Sequence, residues 1–429
     1  MLSSEQLKQI LTEQRESTLN KPVGIERNIL NDIENKKNLP HVVVLTGIRR
    51  SGKSTTLRQI IDKYYNNSDF YYINFEDERL FNFKSHDFNN IYEVLIELFG
   101  KQKTFFIDEI QNINKFENFV RRFNDNGFKF YITGSNARLL SKELGTKLTG
   151  RHVDIIVRPF SFNEFLKLKG FHFEHSMFYK TEARAEIKHF FKEYMIKGGM
   201  PEYLLYNDIE ILSRIYEDIV IKDIVVRYNI HNIVQLRELY QYLISNYSNK
   251  FSYNSLKKII DLGSVNTIKN YISYLEETYF AQIILEFDYS LKKQMTNNKK
   301  LYVLDNGFIQ VISTRFTNDY GWILENLVFN VLRRSFDIFY YSNSKECDFI
   351  VLDSRKRIKF VIQVCFELSE HNRKREVDGL VSAMNDFDLN MGMILTYDQE
   401  EKIEIGSKTI IVKPVWKWLL ESEQKHNNY

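Results

Sequence analysis

His41-Val42-Val43-Val44-Leu45-Thr46-Gly47-Ile48-Arg49-Arg50-Ser51-Gly52-Lys53-Ser54-Thr55 is the stretch on which the fold turns. Its apolar opening, Val42–Leu45, predicts a short buried strand. The segment after it satisfies G-x-x-x-x-G-K-[ST] in full, and a helix is predicted from about Lys53 to Tyr65. Strand, glycine loop and helix in that order make a cradle for phosphate. The glycines let backbone N–H groups turn inward, and the helix N-terminus adds partial positive charge. On this reading Gly47, Ile48, Arg49, Arg50, Ser51, Gly52, Lys53, Ser54 and Thr55 surround a nucleotide. Lys53 reaches the β- and γ-phosphates, and the Ser54 hydroxyl binds Mg²⁺. The competing reading is an ordinary glycine turn before a helix, and motif and context together weigh against it. Arg49 and Arg50 are unusual inside such a loop. They either pair with nearby carboxylates or read something beyond the phosphates.

Residues 1–40 read as helical and polar, ending at Pro40. Further strands are predicted at 69–77, 103–110, 128–135 and 150–158, with helices at 88–99 and 115–125 between them. Such alternation argues for a parallel α/β sheet with crossovers. The third strand, Phe105-Phe106-Ile107-Asp108-Glu109, carries two carboxylates to its C-terminal end, where open α/β sheets bind ligands. Asp108 is expected in the Mg²⁺ shell, and Glu109 is placed to polarise an attacking water. Alone, this pair could be a solvated strand end; its position some 55 residues after Lys53 gives it weight. The next strand ends Thr133-Gly134-Ser135-Asn136. Asn136 is a candidate for contact with the water or the γ-phosphate, and a helix N-cap is an equal alternative. Arg151 is either an arginine finger reaching a neighbouring subunit's nucleotide or, the favoured reading, a surface salt bridge.

The 429 residues suggest about three domains. The 59 Lys and Arg nearly cancel the 56 Asp and Glu, which excludes a histone-like binder but allows a local basic patch. The apolar fraction, 43%, with 33 Phe and 26 Tyr, excludes a disordered chain. Two cysteines, Cys347 and Cys365, rule out a disulfide scaffold and a Cys-built zinc site. They read as buried small hydrophobes. The opening residues lack an apolar signal region and no apolar run reaches membrane-spanning length, so a cytoplasmic chain without a membrane partner is expected.

The segments quoted above, together with LTGRHVDIIVRPFSFNEF and GGMPEYL, resemble a prokaryotic family of AAA-type ATPases, and the resemblance covers essentially the whole chain. It implies a P-loop ATPase core over 1–160, a helical lid over 161–235, a winged-helix segment over 236–312 and a DUF4143-like domain over 313–429. It matches Lys53 and Ser54 to Walker A, Asp108 and Glu109 to Walker B, and Ser135 or Asn136 to sensor 1. Arg151 falls on the family's arginine-finger pair, and no sensor 2 arginine stands out. ATP rather than GTP is implied by the resemblance alone.

FSYNSLKKIIDLGSVNTIKNYISYLEETYF (251–280) looks like a helix-turn-helix. Val265, Ile268, Ile272 and Leu275 form its apolar stripe, leaving Asn266, Lys269, Asn270 and Ser273 outward. Lys292, Lys293, Lys299 and Lys300 lie in or near a predicted β-hairpin resembling a wing. They are candidates for phosphate contact with double-stranded DNA, Lys269, Lys292 and Lys293 foremost. A protein-interaction module is an equal alternative.

In the last segment Glu325 on a helix, Asp348 on a strand and a further strand FVIQVCFEL resemble the restriction-endonuclease-like fold. There two carboxylates and an E-x-K strand hold Mg²⁺ and activate water. The E-x-K positions here are Gln363-Val364-Cys365, which lack both charges, so a binding domain with a vestigial nuclease site at Glu325, Asp348 and Gln363 is expected. The run His371–Arg375 is a solvated helix end or, less favoured, a phosphate contact. The whole reads as an Mg²⁺-dependent ATPase whose nucleotide cycle acts on DNA. The alternatives are a nucleotide-gated signalling or defence switch with a protein partner or homo-oligomer, and an ATP-dependent nuclease.

Overall fold

A computed structural model describes residues 2–66, 69–134, 150–315 and 319–426, with side chains to 423. The chain divides into two compact units, Met1–Phe160 with Glu277–Tyr279, and Ser161–Glu276 with Phe280–Tyr429. Among the described residues no helix is long and apolar enough to cross a membrane.

The first unit is built on β1 (Val42–Thr46), β2 (Tyr71–Asn74), β3 (Thr104–Asp108), β4 (Lys129–Thr133) and β5 (His152–Ile156). They form one sheet in the order β2-β3-β4-β1-β5, every pair parallel. Both faces are covered over β1 to β4, which is why these strands are largely apolar rather than alternating, while the edge strand β5 exposes Asp154. The strand period of two still sorts the side chains. Val42, Val44, Phe105, Ile107, Phe130 and Ile132 enter one core. Val43, Leu45, Phe106 and Tyr131 enter the other. The first core is aromatic: Phe105 stacks on Phe130 at 5.0 Å and meets Phe119 edge-on, while Phe88 and Phe119 stack at 4.2 Å. Each such pair adds about 0.5–1.5 kcal/mol beyond its burial.

Five helices close the faces: α1 (Ser4–Asn20), α2 (Leu30–Lys36), α3 (Lys53–Tyr64), α4 (Phe88–Phe99) and α5 (Phe116–Asp125). The expectation of helix throughout 1–40 is corrected here. Residues 21–29 form no helix, because Lys21 leaves α1 in an extended conformation and the backbone of Val23 and Ile25 is held instead by the Gln59 side-chain amide, at 2.7 Å each. Nor is α1 polar throughout, since Leu7, Ile10 and Leu11 are buried.

The second unit begins with helices and ends with sheets. Two helices, Tyr253–Ile260 and Val265–Glu277, lie between β6 (Lys250–Phe251) and β7 (Ala281–Leu285), which with β8 (Lys299–Val303) form a three-stranded sheet in the order β6-β8-β7. Ile268, Ile272 and Leu275 are buried, Val265 is half-buried, and Asn266, Lys269 and Asn270 are exposed. A simple hairpin was expected after this pair. Instead a short helix, Leu291–Thr296, joins β7 to β8, so Lys292 and Lys293 sit exposed on it. Lys299 and Lys300 lie on β8 and are 3% exposed, so their expected phosphate contact is corrected.

Six strands follow: β9 (Asp337–Ser342), β10 (Glu346–Leu352), β11 (Ile358–Val364), β12 (Met391–Thr396), β13 (Glu401–Ile405) and β14 (Lys408–Pro414). They form a mixed sheet in the order β13-β14-β12-β11-β10-β9. The helix Arg373–Asp386 packs Leu380, Ala383 and Met384 on it. Both cysteines are free and buried, and burial raises Cys365 to about 12. Cys365 stands just past the end of β11, so Glu367 does not share a strand face with it. In the basic run, Arg373 is paired with Glu401 at 2.8 Å and Arg375 with Glu376 at 2.5 Å.

Candidate nucleotide site

The loop between β1 and α3 holds three positive-φ residues: Gly47 at 142°, Arg50 at 61° and Gly52 at 95°. Gly47 cannot be replaced cheaply. A Cβ there would stand 2.2 Å from the Val157 carbonyl oxygen of the neighbouring β5 segment. Gly52 in the left-handed region lets the chain turn straight into α3, so that Lys53 opens a twelve-residue helix. The Lys53 ammonium is buried and donates to the carbonyls of Gly47 and Ile48 at 3.2 and 3.1 Å. It is therefore held against its own loop, one side-chain rotation from a phosphate. The Ser51 hydroxyl is buried without a hydrogen-bond partner, which suits a loop built to meet further acceptors. Ser54 and Thr55 are exposed at the first turn.

Parallel strands deliver the acidic pair to the same edge. Asp108 ends β3 fully buried, and burial first, then the charge of Glu109, pushes its carboxyl above the usual range. Hydrogen bonds from Thr133 and Ser54 and the charge of Lys53 pull it back. Ser54 thus stands beside Asp108, as a shared Mg²⁺ shell requires, and the residues present fit an Mg²⁺–nucleotide. Glu109 follows in a left-handed conformation, φ 51°, which turns its side chain out of the strand run. Its N–H donates to the Thr133 hydroxyl at 3.0 Å, and its carboxylate accepts from the Gln111 amide.

Three residues of this site had no legible sequence signal. Thr133 bonds both Asp108 and the backbone of Glu109. Gln111 tethers the Glu109 carboxylate. Arg27, 5% exposed, donates to the Ser51 carbonyl at 2.9 Å while its guanidinium lies 4.9 Å from the Phe160 ring centroid. It props the loop from behind. Only the alternation of strands could have pointed to Thr133, as the last residue of the strand between β1 and β3.

Ser135 and Asn136 lie outside the described residues. Arg151 lies at the far edge of the sheet. Its carbonyl accepts from Val42 at the start of β1, so the strand separates it from its own phosphate loop by roughly 15 Å. Its side chain pairs with Asp125 at 2.6 Å and is 61% exposed.

A five-stranded parallel sheet, a complete phosphate loop and an acidic pair on a separate strand define a P-loop nucleoside-triphosphatase fold. The chain belongs to a prokaryotic family of AAA-type ATPases. Residues 39–166 match the model described as an AAA domain. An uncharacterized protein of Methanocaldococcus jannaschii is 37% identical over 91% of this chain and 90% of its own length. An uncharacterized protein of Haemophilus influenzae is 29% identical over 94% of this chain and 100% of its own. Among solved structures, a Walker-type ATPase of Pyrococcus abyssi is similar over 69% of this chain and 99% of that one, at 15% identity and a TM-score of 0.42. The expected DUF4143-like domain is corrected. Residues 188–319 match a different model, a domain of unknown function, DUF8612. GGMPEYL lies inside this match, so the segment that carried the resemblance belongs to another family of domains.

Away from the loop, Glu325, Asp348 and Gln363 are brought together in the second unit. Gln363 offers nothing to a metal. Its carbonyl oxygen accepts from the Asp348 N–H at 3.1 Å and its amide donates to Glu376 at 2.7 Å.

Proposed function

We propose that this chain is an Mg²⁺-dependent ATPase whose nucleotide cycle drives a conformational change acting on double-stranded DNA in the cytoplasm. The convergence of the phosphate-loop residues Lys53 and Ser54 with the strand-end carboxylates Asp108 and Glu109 supports the ATPase reading. Bound Mg²⁺ would neutralise charge on the β- and γ-phosphate oxygens. Lys53 holds those oxygens, Ser54 and Asp108 hold the ion's shell, and Glu109 orients water once it leaves Gln111.

Exposed Asn266, Lys269 and Asn270 on the helix Val265–Glu277, with exposed Lys292 and Lys293 beyond it, support a DNA-facing surface. Lys293 is loosely held by Asp288 at 3.4 Å, and Lys269 lies over the Tyr253 ring at 5.4 Å. Steady-state ATPase measured with and without duplex DNA tests this. Turnover is expected to rise with DNA and the rise to fade with salt. Lys292→Glu with Lys269→Glu should weaken the rise and leave the basal rate alone. A rate indifferent to DNA would favour a second reading, a nucleotide-gated switch with a protein partner. Exposed apolar side chains support that one: Leu205, Tyr206, Val226 and Val234 are all more than half exposed.

Arg151 belongs to the same proposal, acting on a neighbouring copy's nucleotide. Its place at the far edge of the sheet and its exposure suit action in trans and forbid action in cis. The rate per subunit is then expected to fall on dilution, and Arg151→Ala to cost about 10²-fold or more where the native chain is assembled and to make little difference once it is monomeric. A rate per subunit that stays constant down to the monomer would sink this assignment.

A further inference from the structure

The cavity of the second unit, about 640 Å³, is lined by Lys300, Glu325, Glu346, Asp348 and Gln363 among others. Lys300 comes from β8, outside the six-stranded sheet. Its ammonium lies 3.0 Å from Glu346, 3.4 Å from Glu325 and 3.5 Å from Asp348. Lys300, Glu325 and Asp348 are 3, 5 and 6% exposed. The strand is fixed to the glutamate helix by Asn326. Its side chain accepts from the Val303 N–H and donates to the Val303 carbonyl, both at 2.9 Å, and it is wholly buried. Tyr302, two residues along the same strand from Lys300, donates to Glu325 at 2.5 Å. Placement of the ammonium therefore follows from a built scaffold rather than from a flexible side chain.

Glu346 has a second partner in Lys250, at 2.8 Å, and Glu376 is matched by Arg375. Glu325 and Asp348 are the deep pair, and among the described ion pairs Lys300 is the cation that both share. Two buried carboxylates a short distance apart need a cation between them or a proton on one of them. A divalent ion would draw oxygens to about 2.0–2.6 Å. Here the oxygens stand 3.0–3.5 Å from the Lys300 nitrogen, ion-pair distances. Among the described residues no three Asp, Glu, His or Cys side chains converge closely enough to hold a metal.

We propose that Lys300 is the resident cation of this cavity. It fills the seat between the helix carboxylate Glu325 and the strand carboxylate Asp348, so that the native domain takes up no divalent ion there. The lysine missing after Gln363 has not been moved to a working position; its charge has been moved into the metal's place. This inference does not depend on the nucleotide reading.

The test uses the full chain without nucleotide, with Mn²⁺ as the probe, its free fraction read by electron paramagnetic resonance. The native protein is expected to show no tight Mn²⁺ site. Lys300→Met should gain one, about ten-fold tighter or more than anything in the native chain, because two buried charges are left uncompensated. Lys300→Met with Asp348→Asn should lose it again. Thermal melting covers the case of a poorly folded variant. Mn²⁺ should raise the melting temperature of Lys300→Met and not that of the native chain. Lys300→Met with Glu325→Gln, in which one negative charge leaves with the positive one, should melt above the single variant and ignore Mn²⁺. Tight Mn²⁺ binding by the native chain that Asp348→Asn abolishes would overturn the proposal and make the cavity a metal site. So would a Lys300→Met variant that gains no Mn²⁺ site, or a double variant no more stable than the single one.

Discussion

Glu109→Gln is expected to lower ATP turnover by about 10²–10⁴-fold while nucleotide still binds. The two effects separate because the site divides its labour between elements. On the proposed reading, binding rests on the loop Gly47–Lys53 with Ser54 and Asp108, and the Glu109 carboxylate serves the water instead. Glu109 lies one residue beyond the strand, turned out by its left-handed backbone, with its N–H fixed on Thr133. Glutamine keeps the shape and the backbone bond and removes the negative charge proposed to orient water. Phosphate release against binding of a fluorescent ATP analogue reads both quantities. A variant that keeps a tenth of native turnover, or that no longer binds nucleotide, would show that Glu109 does other work. Lys53→Ala is the useful contrast, since it should lose binding as well.

Gly198→Ala should unfold or severely loosen the second unit, at a cost of about 4 kcal/mol or more. A Cβ at Gly198 would sit 1.9 Å from Asp305 Oδ1, and the residue has φ 74°. Asp305 cannot move aside. It is buried and accepts the Gly199 N–H at 2.6 Å with one oxygen and the Gly307 N–H at 2.9 Å with the other. Burial pushes its carboxyl up to about 6, and those two N–H groups hold it below where burial alone would put it. Displacing it would leave a buried carboxylate and two N–H groups unmatched. Gly170→Ala is the control. It also has positive φ, 76°, but nothing stands within 4 Å of its Cβ, so only the backbone term of about 1–2 kcal/mol should appear. Denaturant unfolding of the two variants should differ by several-fold in cost. Equal costs would mean that the contact with Asp305 is not what Gly198 serves. Gly198, the first residue of GGMPEYL, noticed in the sequence only as part of a family segment, thus has a physical reason: no side chain fits between the end of the helix Thr181–Lys197 and Asp305.

The first unit was largely legible. Phe105 and Phe106 alternate between two cores, yet both are buried, and a continuous apolar run with charged ends is the signature of such a strand. Strands and helices of the ATPase core therefore fell close to their expected places. The N-terminal forty residues were less legible. The bonds that Gln59 makes to Val23 and Ile25 span more than thirty residues, and no local pattern announces them. Lys299 and Lys300, expected in or near a hairpin, were misplaced for a related reason. Their strand, Lys299–Val303, begins with two lysines that a solvent-facing hairpin would also carry.

What the sequence by itself determined is the phosphate loop, with Lys53, Ser54, Asp108 and Glu109, because each is specified by neighbours along a single strand–loop–helix or strand–loop segment. Phosphate is gripped by consecutive backbone N–H groups, so the information is contiguous. Tertiary structure alone decided that Arg151 lies at the opposite edge of the sheet from its own loop, that Thr133 and Gln111 manage the two carboxylates, and that Lys300 meets carboxylates 25 to 48 positions further on. Those outcomes depend on which strands lie side by side and on which buried charges must then be balanced. Strand order and charge balance are properties of the packed chain, and a residue's near neighbours in sequence do not carry them.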